Sequence, residues 1–128
     1  MPRLAQAATS ALLLVAALGC GGGAEEKRAA VQGQVFYRGR PLAGGTIVFA
    51  PDPGHGGRGP LAWGEIGPDG RYTLRTDDAA GAVVGWHRVT VAAPGPAALP
   101  ACYSDPERSG QCHQVCDVPQ NTIDVRLE

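Results

Sequence analysis

Three of the four cysteines and one of the three histidines crowd into a single stretch: Cys102, Cys112, His113 and Cys116 lie within 15 residues. Thiolate and imidazole both bind zinc, and three Cys with one His make a known tetrahedral set. The order here, an isolated Cys followed by Cys-His-x-x-Cys, departs from the spaced Cys pairs of zinc modules. It also reverses the Cys-x-x-Cys-His of covalent haem sites. In an extended strand Cys112 and Cys116 would stand about 13 Å apart, at about 3.3 Å per residue. Bridged Cα atoms must come within about 7 Å. A disulfide is therefore expected from Cys102 to Cys112 or to Cys116 across a loop, in an oxidising compartment. A metal or redox site at Cys102, Cys112, His113 and Cys116 is the alternative. No cofactor is implied.

The remaining chemistry-bearing residues suggest quieter roles. His55 sits in Gly54-His55-Gly56-Gly57-Arg58-Gly59, a loop expected to be exposed and too flexible to hold a site. That glycine run lacks the Lys-Ser/Thr and the following helix of a phosphate cradle. His87 is expected at the surface, partly buried. Trp63 and Trp86 could stack on a sugar, which makes a carbohydrate-binding module an alternative function, although core or rim packing is the commoner fate of such residues. Asp77-Asp78 lacks the Asp-x-Asp spacing of a calcium loop and reads as a polar turn.

The elements that must carry these residues are short and β-prone. The 128 residues include 19 Gly and 11 Pro, with 44% apolar and 18% charged residues. That balance excludes a disordered or supercharged chain. With 11 basic and 12 acidic residues and no basic cluster, nothing steers the chain to nucleic acid. Val31, Gly33, Val35 and Tyr37 alternate with Gln32, Gln34 and Phe36, as a half-buried strand requires. Thr46–Ala50 forms the next run, and the Gly/Pro-rich loop 51–60 is expected at the surface. After the run 61–66, Gly67-Pro68-Asp69-Gly70 is a turn of hairpin type. Tyr72 and Leu74 then share one face, 83–92 is another run, and Ile123, Val125 and Leu127 face inward at the end. Six or seven strands at this spacing imply an all-β antiparallel sandwich of about seven strands.

The front of the chain reads as an address. Ala11 to Leu18 is a run of eight apolar residues behind Arg3, too short to span a bilayer but suited to an export signal. Ala17-Leu18-Gly19-Cys20 resembles the lipobox of bacterial lipoproteins, with Ala17 where that pattern most often has Leu. The resemblance implies cleavage after Gly19 and acylation of Cys20. Three fatty chains would anchor the chain stably. The expected layout is a lipoprotein signal peptide over 1–19, a lipidated Cys and flexible tether over 20–29, and a sandwich over 30–128. Acylation of Cys20 leaves three thiols, an odd number. Gly21, where an Asp would retain a lipoprotein at the inner membrane, favours the outer membrane.

Val35-Phe36-Tyr37-Arg38-Gly39-Arg40-Pro41-Leu42-Ala43-Gly44-Gly45-Thr46-Ile47-Val48-Phe49 resembles the opening of the carboxypeptidase regulatory-like, transthyretin-like domains. Asp69-Gly70-Arg71-Tyr72-Thr73-Leu74, the Gly81–Val91 segment, and the pieces Tyr103-Ser104-Asp105-Pro106, Ser109-Gly110 and Asn121-Thr122-Ile123 resemble later motifs of the same family, in order. The resemblance implies a transthyretin-like, Ig-like sandwich over 31–127 and a non-catalytic role. Tyr37-Arg38-Gly39-Arg40 looks similar to the Tyr-Arg-Gly-Ser of a hydrolase with this fold, but it lies in the first strand and lacks the Ser. The expected function is a membrane-anchored envelope lipoprotein presenting a binding or scaffolding module. Its expected partners are the membrane, through the lipid, and another envelope protein or a glycan.

Overall fold

Strand β1 (Arg28–Tyr37) is the spine of the first sheet, because Val31 and Val35 bury their side chains on one face while its backbone is paired on both edges. A computed structural model describes residues 27–94 and 99–128. The signal over 1–19, Gly19, Cys20 and most of the tether therefore lie outside the described residues. On one edge β1 pairs antiparallel with β2 (Arg40–Pro41), β5 (Arg71–Thr73) and β8 (Ala82–Val83). On the other it pairs in parallel with β11 (Gln120–Thr122) and β12 (Val125–Leu127). The second sheet is antiparallel throughout. It runs in the order β10 (Cys112–Val115), β9 (Gly85–Ala92), β3 (Thr46–Pro51), β4 (Ala62–Glu65), β6 (Arg75–Thr76) and β7 (Ala79–Ala80).

The described residues thus form an all-β sandwich with an antiparallel second sheet, and among them every pairing but the two parallel ones just given is antiparallel. Its strands are more broken than the sequence alternation suggests. The run 71–76 is one extended stretch that changes partner at Leu74: β5 joins β1, while β6 joins β4 through Trp63 and Arg75. The Gly67–Gly70 turn does close, with the Gly70 N–H donating to the Gly67 carbonyl at 2.9 Å. It nevertheless launches a strand that crosses between the sheets.

The core follows from the alternation. Ile47, Phe49, Leu74, Val89, Val91, Val115 and Val125 are fully buried, and Tyr72 packs its ring 6.2 Å from that of Phe49. The Tyr72 hydroxyl donates to the Ile123 carbonyl at 2.5 Å. This bond crosses a point where the backbones nearly touch: a Cβ built on Gly33 would lie 1.8 Å from the Ile123 oxygen. Only a residue without a side chain fits there. His87 corrects the expectation of a surface site. It is 1% exposed, because residue 87 shares the inward face of β9 with Val89 and Val91, and its Nε2 bonds the Val83 carbonyl at 2.6 Å.

Candidate functional site

The Asp52 carboxylate gathers four donors on the outer face of the second sheet. The register explains how. Ala50, Arg88 and Cys112 stand side by side across β3, β9 and β10. Facing residues of an antiparallel pair point to the same side. Phe49, Val89 and Val115 are buried, so their neighbours Arg88 and Cys112 are turned outward. The chain leaving β3 then folds back over this row. The Asp52 N–H donates to the Trp86 carbonyl at 2.8 Å, and a one-turn 3-10 segment follows over Pro53–His55.

Asp52 is the N-cap of that turn, with Pro at the next position, where a missing N–H costs nothing. The turn ends at Gly56, whose φ of +72° a side chain would resist. This corrects two sequence expectations. The loop 51–60 is not uniformly surface, since the Asp52 side chain is only 7% exposed, and His55 is held in place.

Each carboxylate oxygen has its own partners. Oδ1 accepts from the Gly54 N–H at 2.9 Å and from Arg88 Nε at 3.1 Å. Oδ2 accepts from His55 Nδ1 at 2.7 Å and faces Cys112 Sγ at 3.7 Å. A carboxylate can only accept, so the imidazole proton sits on Nδ1. His55 is half exposed and stacks on Trp86, with ring centroids 5.1 Å apart and planes 24° apart. The His55 bond is the main influence holding the Asp52 carboxyl below its usual range, and Gly54 and Arg88 act in the same direction. Cys112 moves the opposite way: burial and the neighbouring carboxylate push its thiol up. Asp52, His55, Arg88 and Cys112 line an open hollow of about 440 Å³, bordered beyond them by Glu107 and Gln111.

The quartet Cys102, Cys112, His113 and Cys116 is not assembled. Among the described residues, the group of three potential ligands that comes together is Asp52, His55 and Cys112, with their ligand atoms within 4.8 Å of one another. Strand alternation separates the sequence neighbours. Cys112 faces out, while His113 turns in toward Phe49, with ring centroids 6.4 Å apart, and burial pulls its pKa down. Cys116 is past the end of β10, where Asn121 ties both its N–H and its carbonyl. Cys102 lies in a separate 3-10 turn, Ala101–Ser104. Cys102, Cys112 and Cys116 stand as free thiols in this structure, with no bridge from Cys102 to Cys112 or Cys116.

The two tryptophans are also placed. Trp86 is 37% exposed, but one face of its indole is covered by His55. Trp63 is half-buried and lies under the Arg75 guanidinium, 5.5 Å from its ring centre. Neither presents the bare pair of rings that a sugar platform uses.

One signal for this site was present in the sequence. Asp52-Pro53-Gly54 is an N-cap with Pro at the first position of a turn, which marks an ordered start rather than a slack loop. Compared with known proteins, the chain matches no family model, no curated protein and no solved structure.

Proposed function

We propose that this chain is a lipid-anchored protein of the bacterial cell envelope that presents a non-catalytic, transthyretin-like sandwich as a binding module. The anchor is Cys20, freed by cleavage after Gly19, and the tether runs from residue 21 only as far as β1, because Arg28 and Ala29, expected in the tether, pair with Val83 and Ala82. The binding face is the outer side of the second sheet around Asp52.

One observation carries the choice of face. A carboxylate is fixed by two donors through Oδ1 while Oδ2 is turned to His55 and Cys112 at the mouth of a hollow. Such an arrangement is preorganised for recognition, because the Asp52 carboxylate and the His55 ring are already held in place when a partner arrives. It suits nucleophilic catalysis poorly. A working cysteine needs its proton drawn away by a base, whereas the partner of Cys112 is an anion that keeps the proton on sulfur.

Intact mass spectrometry of the protein extracted from bacterial membranes tests the anchor. The expected species begins at Cys20 and carries added acyl mass. A chain starting at residue 20 without lipid, or one still holding its first 19 residues, would overturn the reading.

A further inference from the structure

The geometry points to Asp52 Oδ2, His55 Nδ1 and Cys112 Sγ as three ligands of a zinc-class divalent cation, with the fourth position open to water from the hollow. This rests on the reading of the Asp52 face as the binding surface, and it names what that face takes.

The donor set selects the metal. Calcium and magnesium take oxygen ligands and gain nothing from a thiol, whereas a mixed sulfur, nitrogen and oxygen set is typical of zinc. Two of the three separations are close to those required, and the third, Sγ to Nδ1, lies within 4.8 Å. Around a tetrahedral zinc with Zn–S near 2.3 Å and Zn–O or Zn–N near 2.0 Å, sulfur and oxygen stand about 3.5 Å apart, and nitrogen and oxygen about 3.3 Å. Sγ and Oδ2 are already 3.7 Å apart. Nδ1 and Oδ2, at 2.7 Å, need to part by a fraction of an ångström once the proton between them has gone.

The supporting contacts are also in place. Gly54 and Arg88 hold Oδ1, which fixes the carboxylate and leaves Oδ2 as a single-oxygen ligand. Trp86 supports the imidazole plane from one side. Outer contacts of this kind orient metal ligands. The protons balance simply. The Cys112 thiol gives up one proton to solvent, and the neutral imidazole moves its proton from Nδ1 to Nε2. Binding therefore releases one proton and oxidises nothing. Close to the cation, the thiolate that the carboxylate otherwise disfavours becomes the stable form.

The test uses the full chain carrying Cys20→Ser in mild detergent, so the free Cys20 thiol cannot compete. Because the anchor is absent from this experiment, failure of the lipid reading leaves its outcome untouched. Zinc titrated by calorimetry should bind with one equivalent per chain, and cobalt in its place should give a thiolate-to-metal charge-transfer band. Cys112→Ser, His55→Gln and Asp52→Asn should each weaken zinc binding at least about 10-fold, and Cys112→Ser should abolish the band. Asp52→Asn retains a capping side chain and Cys112 is exposed, so both variants should fold, which circular dichroism checks. Cys102→Ser and Cys116→Ser should bind as the parent does. A cobalt band that survives Cys112→Ser, one that is lost in Cys102→Ser or Cys116→Ser, or the absence of any thiolate band would overturn the assignment.

Discussion

Arg88 and Cys112 are cross-strand partners on β9 and β10, and they reach different oxygens of one carboxylate, that of Asp52. The Asp52 carboxylate and the Arg88 guanidinium therefore act on the Cys112 thiol in opposite directions. Burial raises the Cys112 pKa most, Asp52 raises it further, and Arg88 lowers it. In metal-free protein, Asp52→Asn should speed alkylation of Cys112 by iodoacetamide severalfold near neutral pH, since the thiolate is the reacting form. Arg88→Ala should slow it. Peptide mass mapping gives the rate at Cys112 separately from the other thiols, and equal rates in the two variants would contradict the shared-carboxylate geometry.

Tyr72 should make the fold sensitive to alkali. Burial, aided by the Asp124 charge, raises its hydroxyl pKa well above the ordinary 10.0. A raised folded pKa means the stabilisation is complete below the unfolded value and is lost as pH climbs through the folded one. Denaturant unfolding at a series of pH values should show stability falling from about pH 10 upward. Tyr72→Phe should reduce that dependence, and at neutral pH it should cost about 1 kcal/mol through loss of the bond to the Ile123 carbonyl.

Gly33→Ala should be severe for a surface-near position. Its Cβ would lie 1.8 Å from the Ile123 oxygen, so two backbones must separate. The expected cost is about 3 kcal/mol, the upper end for overpacking. In a domain of this size that corresponds to a drop in melting temperature of roughly 12–24 °C. A scan showing less than a few degrees of change would mean that the two segments do not approach so closely.

Asn121 joins the end of β10 to β1. Its amide donates to the Ala30 and Cys116 carbonyls, and its oxygen accepts from the Cys116 N–H at 2.9 Å. Asn121→Ala takes the side-chain partner from the Cys116 N–H and one donor each from the Ala30 and Cys116 carbonyls, the latter keeping the Val118 N–H, and should cost about 2 kcal/mol. Hydrogen exchange should quicken at the Cys116 amide before it does in β9, and unchanged protection there would refute the tie.

Much of the fold was legible in the residues alone. Alternation placed Val31, Val35, Tyr72, Leu74, Val125 and Leu127 inward, and Gly67–Gly70 marked a real turn, because side-chain period and turn chemistry are local properties. The export signal and lipobox proposed around Cys20 would likewise be read by other machinery rather than built by folding. The cross-over at Leu74 was not legible. Hydrogen-bond partners are chosen by the whole sheet, and nothing in Arg71–Thr76 names them.

The site depended on tertiary structure still more. Asp52 is 36 residues from Arg88 and 60 from Cys112, so no spacing rule could join them. Sequence proximity suggested Cys112 with His113, and a strand sends adjacent side chains to opposite faces. Composition and periodicity settled that the chain would form strands and bury their apolar faces. The local turn brought His55 to Asp52, but register decided which thiol would meet them, because a one-residue slip of β10 would have turned Cys112 inward, away from the carboxylate.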